Sequence, residues 1–353
     1  MKMCIIGFND EYVMPYYTEY KHKLQKKNIE FDSILFDRTG KKKDAENVYY
    51  FSKKVTNSKL NKAIAFIKWR KYVLNLLRKR KYDKLIVLTS IPAFLIGNYL
   101  QKNYKNNYIF DIRDFTHEGN MAYRKEINKI VNDSYFTSIS SQGFLQWLEP
   151  SEKIILNHNC DEFLLKGVKY EKVTIPDKVK IGYFGIVDYE RENVALIKAL
   201  PKEDFSFLYQ GIHDTCTYLK SHVSNNSKYN VVFKGKYDSQ EKFEMYKDIN
   251  IVNAVYGTSS LKTTTLVPNK FYDCLIYGKP ILVSKGTYLS TLVEKYNLGI
   301  SIEHTSQTIL NEVSTYCSTF DSLAFNKGRT KAVQKIKNDI DIFERKLSGY
   351  IEK

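Results

Sequence analysis

The chain has 353 residues, 43% hydrophobic and 27% charged, which suits two globular domains and excludes a largely disordered chain, a collagen-like repeat or a disulfide scaffold. Lysine and arginine number 55 against 39 acids, a formal charge of +16, so an anionic partner is expected. Cys4, Cys160, Cys216, Cys274 and Cys317 form no CxxC pair, which points to a reducing cytoplasm.

Residues 2–7 (KMCIIG) read as a short apolar strand ending at a glycine, with a helix following to about Lys27. The chain turns polar after Gly7, too early for the apolar core of a signal peptide. Asn9, Asp10 and Glu11 lie on this first loop, where they can meet an acceptor or simply cap the helix. The alternation continues with strands at 31–37, 84–90, 108–114 and 135–141, a helix opened by Ser90 and Pro92, and another at about 120–132. The apolar run 85–97 is broken by Thr89, Ser90 and Pro92 and is shorter than the ~20 residues of a bilayer crossing.

Charge is unevenly spread. Residues 1–160 carry 28 lysines and arginines against 16 acids, residues 161–353 only 27 against 23. Eleven of the basic residues fall in 47–82, which holds no acid. Within it, 58–80 reads as an amphipathic helix whose apolar positions are Leu60, Ile64, Ile67, Leu74 and Leu77. Residues 58–81 therefore suit an anionic membrane surface, the alternative being a helix packed on its own domain with a solvated basic face. Nucleic acid is not expected, because no helix-turn-helix, zinc-finger or RNP-type motif accompanies the charge.

The polar stretch 161–179, containing Pro176, reads as a linker between an N-terminal domain, 1–160, and a C-terminal one, 180–320. A second alternating series follows: strands at 180–187, 205–211, 231–237, 249–257, 280–284 and 299–303, and helices at 190–199, 214–224, 240–248, about 269–277 and 287–297. The remainder, 321–353, is a lysine-rich helical tail placed to cross back to the first domain. The fold class is α/β: two Rossmann-like domains facing across a cleft, with ligands outside the carboxyl ends of the strands.

Loops after strands are thus where chemistry is expected. Gly185 to Arg191 joins a strand to a helix, where free N–H groups suit a phosphate, although any Rossmann-like turn favours glycine. Gly235 to Tyr237 can wrap a nucleobase or be only a turn. Pro268 and Asn269 open a helix on which Lys270 and Asp273 share one face. A cation there suits a diphosphate and a carboxylate suits ribose hydroxyls, the alternative being a local salt pair. In the first half, Asp111, Arg113, Asp114 and His117 cluster at a strand end, where His117 or Asp114 can take a proton from an attacking hydroxyl, unless Arg113 is only paired with an aspartate. No HExxH or similar cluster appears, and the one Asp-x-Asp, Asp339 to Asp341, falls in the tail helix as a solvated face, so no metal or cofactor is expected.

The stretch PNKFYDCLIYGKPILVSKGTYLSTLVEKYNLGI resembles the donor-binding signature of GT-B glycosyltransferases, especially the family 4-like bacterial enzymes that build capsular and O-antigen polysaccharides. IGYFGIV resembles the family's glycine loop, and FDIRDF, SISSQGF and ILNHNCDE resemble its first-domain landmarks. The resemblance implies that Asp273 binds the nucleotide ribose and that Lys270 and Gly185 lie at the diphosphate. It also implies transfer of a sugar from a nucleotide sugar, a UDP-linked one being expected, to a lipid-linked or polysaccharide acceptor at the inner face of the cell membrane. The sequence departs from the pattern at two points. Thr265 stands eight positions before Asp273, where retaining members often have a glutamate; and Arg191, with Asn193, stands where a basic pair is common. A nucleotide-sugar 2-epimerase of the same fold and a non-catalytic nucleotide-sugar-binding subunit are the alternatives.

Overall fold

The computed structural model describes residues 1–56, 58–212, 216–223, 227–303 and 308–352. The chain divides into two compact units, Met1–His158 with Asp339–Lys353, and Asn159–Asn338. In chain order the first unit contains β1 (Lys2–Ile6), α1 (Pro15–Lys26), β2 (Glu30–Asp37), β3 (Val48–Ser52), α2 (Lys59–Arg80), β4 (Lys84–Leu88), α3 (Ser90–Asn103), β5 (Tyr108–Ile112), α4 (Met121–Asp133), β6 (Phe136–Ile139) and β7 (Ile154–Leu156). The second contains α5 (Glu162–Lys166), β8 (Val179–Ile186), α6 (Glu190–Ala199), β9 (Phe205–Ile212), α7 (Thr217–Val223), β10 (Val231–Lys234), α8 (Lys242–Lys247), β11 (Ile251–Ala254), α9 (Leu261–Thr265), α10 (Asn269–Tyr277), β12 (Ile281–Ser284), α11 (Tyr288–Lys295), β13 (Gly299–Ile302) and α12 (Ile309–Ser318). The last helix, α13 (Ser322–Glu352), begins in the second unit and ends in the first.

Both sheets are parallel, and both have the strand order of a Rossmann fold. The first runs β3-β2-β1-β4-β5-β6-β7 and the second β10-β9-β8-β11-β12-β13. In each, the order reverses beside the first strand: between β1 and β4, and between β8 and β11. Helices cover both faces of the first sheet. Cys4 and Ile6 of β1 point into a core with Trp69, Val73, Ile96 and Ile127 from α2, α3 and α4. Met3 and Ile5 point the other way, into a core with Tyr17, Tyr20 and Leu24 of α1 and Phe343, Leu347 and Tyr350 of α13. That alternation is the period-two signature of a strand buried on both faces.

The end of α13 is tied in by polar contacts as well. The Tyr350 hydroxyl accepts from the Leu85 amide at 3.1 Å, Lys84 Nζ donates to the Tyr350 carbonyl, and Lys27 pairs with Glu352 at 2.9 Å.

Four sequence expectations change. In α2 the buried positions are Ala65, Trp69, Val73, Leu74 and Leu77, whereas Leu60, Ile64 and Ile67 are 71%, 40% and 59% exposed. The 65-69-73 row faces the sheet, so the first two turns turn their aliphatic residues outward. Residues 161–179 belong to the second unit and include α5, capped by Asp161, whose carboxylate accepts from the Phe163 and Leu164 amides. Asp339 is not on a solvated face: it is 7% exposed and its carboxylate lies 3.1 Å from His158 Nε2, at the residue where the chain leaves the first unit. Edge strands β3 and β7 were not foreseen, because their residues are only partly covered and carry no continuous buried run. The expected helix 214–224 is observed as α7; residues 214, 215 and 224 lie outside the described residues.

Candidate functional site

In the second unit, three glycines stand in a row at the carboxyl edge. Gly185 of β8 pairs in register with Gly211 of β9, whose amide donates to the Gly235 carbonyl at 3.1 Å. Gly211 has φ +140°, and a Cβ there would fall 2.1 Å from the Gly185 carbonyl oxygen, so only glycine fits. Above Gly185, at φ +114°, and Gly235 there is open space. The floor at the ends of β8, β9 and β10 is therefore bare backbone.

Helix α10 follows β11 and leads to its parallel neighbour β12, so it runs back along the sheet and its N-terminus lies at this same carboxyl edge. Pro268 precedes it without a side-chain cap, and Gly278 ends it in the left-handed region with φ +66°. The first turn brings Lys270 inward. Its Nζ lies 3.7 Å from the centre of the Tyr183 ring and donates to the Tyr256 hydroxyl at 3.1 Å. Tyr183 belongs to β8 and Tyr256 follows β11, so the ammonium sits over the point where the strand order reverses, the place where ligands bind in open parallel sheets.

Burial lowers the Lys270 ammonium to about 7, against the opposing influence of Asp273 and Asp188. Asp273, one turn along, does not pair with it. Its carboxylate accepts from the Tyr246 hydroxyl at 2.7 Å and from Lys242 Nζ at 3.2 and 3.3 Å. A local Lys270–Asp273 salt pair is thereby replaced by a carboxylate held from α8. Tyr237 packs edge-on against Phe184 at 6.4 Å, and Asn269 Oδ1 accepts from Asn159 Nδ2 at 2.9 Å.

The segment after Gly185 differs from expectation. Arg191 is exposed, its guanidinium 6.0 Å over the Tyr218 ring, and Glu190 and Glu192 occupy the first turn of α6. Those carboxylates already complement the helix dipole, so the positive charge next to the glycine row comes from Lys270 rather than from this helix end. Asn193 is fully buried: its Oδ1 accepts from Tyr209 and Asn253 at 2.9 Å, and its Nδ2 donates to the Tyr189 carbonyl at 3.0 Å. It stabilises the left-handed turn at Tyr189, φ +60°, and presents no donor to a ligand.

At the carboxyl edge of the first unit, Arg113 is buried in a bidentate pair with Asp111, at 2.6 and 2.8 Å, and donates to the Asn157 carbonyl at 3.2 Å. Asp114 and His117 are exposed, His117 edge-on to Tyr123 at 5.6 Å. Buried Glu118 accepts from the Thr116 amide at 2.5 Å, which orders the segment carrying them. Asn9 is half-buried; Asp10 accepts from the Tyr12 amide at 3.2 Å and pairs with Lys42 at 2.7 Å, and Glu11 lies 3.5 Å from the same lysine. The two acids of that loop are thus engaged in a cap and an ion cluster. Among the described residues no group of three His, Cys, Asp or Glu side chains is placed to hold a metal ion.

No protein-family model matches the sequence, and no curated protein matches it. Solved structures do. A sucrose-phosphate synthase from Thermosynechococcus elongatus superposes with a TM-score of 0.71 at 12% identity, covering 99% of each chain. Anabaena HepE in complex with UDP gives 0.62 at 14% identity over 99% of this chain and 100% of that one. WaaG, a glycosyltransferase involved in lipopolysaccharide biosynthesis, gives 0.56 at 10% identity over 96% and 95%. The fold is GT-B.

Within this GT-B chain, several residues of the second-unit site escaped sequence reasoning: Gly211, Tyr183, Tyr256, Lys242 and Tyr246. Gly211 was legible as a glycine ending an apolar strand, the signal already used for Gly185. The tyrosines carry none, because 28 tyrosines are scattered along the chain and only the register of β8 and β11 selects these two.

Proposed function

We propose that this protein is a glycosyltransferase that moves a sugar from a UDP-linked donor, held by the second unit, to a lipid-linked or polysaccharide acceptor in the assembly of a surface glycan. The observation that carries the reading is a buried cation and a buried carboxylate, Lys270 and Asp273, one turn apart at the point where the second sheet reverses its strand order. Lys270 beside the glycine row suits a diphosphate, and Asp273, with acceptor capacity beyond its two present donors, suits the ribose hydroxyls. Gly235, with open space above it, and Tyr237 would flank the base. Two of the similar structures were solved with UDP or UDP-glucose, which supports a uridine donor.

Transfer breaks the bond between the anomeric carbon and the diphosphate as an acceptor hydroxyl attacks. Lys270 would stabilise the charge gathering on the departing UDP, and His117 or Asp114 would receive the hydroxyl proton, with Arg113 holding their segment. Incubation with UDP-sugars and a lipid extract, followed by product analysis, tests this. A labelled lipid-linked or polymeric product is expected. A UDP-sugar epimerised at C2 with no acceptor product, or no turnover at all, would overturn the reading.

The acceptor side is assigned to a membrane surface, in a reducing cytoplasmic compartment. Among the described residues no helix is long and apolar enough to cross a bilayer. Helix α2 instead turns Leu60, Ile64 and Ile67 outward at spacings of four and three, among exposed Lys59, Lys62, Lys68 and Lys71. Each cation close to anionic lipid contributes about 1 kcal/mol, and the aliphatic residues add buried area. Vesicles containing phosphatidylserine are expected to bind the protein, and Leu60→Ser, Ile64→Ser and Ile67→Ser together should weaken that binding at least tenfold without lowering the melting temperature. Equal binding by parent and triple variant would remove the membrane assignment.

A further inference from the structure

Lys270 is a buried lysine that makes no ion pair among the described residues. It is 7% exposed, bounded by the Tyr183 ring of β8 and the Tyr256 hydroxyl after β11, with Tyr189 packed on Tyr256 at 5.1 Å. The charged groups that face it are Asp273 on its own helix, Asp188 on the loop after β8, and Lys242 from α8. Asp273, the acid one turn away, is itself occupied by Lys242 and Tyr246. Aromatic faces and one phenol compensate an ammonium only in part, and the added lysine acts against it.

We propose that a nucleoside diphosphate entering this site takes a proton up with it: the anion charges Lys270, and affinity is thereby linked to pH. The inference rests on the nucleotide-binding reading above and specifies how that site is regulated. The balance is simple: a neutral amine accepts one proton from solvent as the diphosphate arrives, and nothing is oxidised or reduced. In the empty site burial lowers the Lys270 ammonium to about 7, so around neutral pH part of the population holds it uncharged.

The anion raises that value, because it favours the charged form. Affinity is therefore greatest at low pH, where the lysine is already charged, and falls as pH rises above about 7, close to tenfold per pH unit until the bound-state value is reached. The diphosphate of UDP is almost fully ionised above about pH 7.5 and its uracil N3–H stays protonated below about pH 8.5, so the nucleotide's own titration contributes little between those values.

Calorimetry of UDP binding to the full chain from about pH 7.5 to 8.5, in two buffers of different ionisation heat, tests this. Uptake approaching one proton per UDP near pH 8 is expected, with a Kd that rises roughly tenfold per pH unit. Lys270→Met should bind more weakly and take up almost none. A constant Kd with no buffer-dependent heat would overturn the inference while leaving the nucleotide reading intact. Full uptake retained in Lys270→Met would overturn it too, by assigning the proton elsewhere. No UDP binding at any pH removes both. The parent measurement is decisive even if the variant proves unstable.

Discussion

Asp273→Ala is expected to bind UDP about 100-fold more weakly than the parent, or worse. A carboxylate that accepts two ribose hydroxyls contributes about 1.5–3 kcal/mol per hydrogen bond to a charged acceptor, and every 1.4 kcal/mol is tenfold in Kd. The same substitution strips the Tyr246 hydroxyl and the Lys242 ammonium of their shared partner, now held at 2.7 and 3.2 Å. Some of the loss will therefore appear as stability, about 1–3 kcal/mol for a buried donor left unpaired. Asp273→Asn separates the two effects, since the amide oxygen still accepts from Tyr246 while the charged acceptor is gone. Titration with UDP, paired with thermal melts, checks both variants. A folded Asp273→Ala protein with parental affinity would dismiss the ribose assignment.

Trp69→Ala is expected to be the most damaging single change to the first unit. The indole is fully buried and stands edge-on to Phe8, with ring centroids 4.8 Å apart, while Phe8 also meets Phe36 and Phe66 at 5.3 and 4.9 Å. Emptying such a site costs about 3–5 kcal/mol. At roughly 2–4 °C per kcal/mol for a domain of this size, the melting temperature should fall by about 10 °C. Trp69 Nε1 has no hydrogen-bond partner among the described residues, so Trp69→Phe should be far milder. Leu60→Ala, on the exposed face of the same helix, should change stability by less than about 0.5 kcal/mol. Equal melting of the Trp69 and Leu60 variants would contradict the packing of α2.

These two variants also mark where sequence reasoning succeeded and where it stopped. The spacing that puts Lys270 and Asp273 on one helical face is local, and Pro268 and Gly278 bracket that helix in the sequence itself. What the sequence does not contain is the partner of each. The two side chains pair with groups on other elements, Tyr183, Tyr256, Tyr246 and Lys242, and not with one another. Likewise nothing in the sequence around Arg191 and Asn193, two positions apart, distinguishes a ligand contact from a surface or a core position; the fold exposes the first and fully buries the second.

The sequence by itself determined the alternating α/β pattern, the two-domain organisation of the fold and the concentration of positive charge in α2, because central parallel strands are continuous apolar runs and net charge needs no coordinates. Tertiary structure decided which face of α2 is buried, that Asp339 meets His158 rather than solvent, and that a lysine lies among tyrosines over the strand reversal of the second sheet. The physical reason is range. Helical period and turn chemistry act within a few residues, whereas burial, helix phase and pKa depend on which distant strands stand side by side.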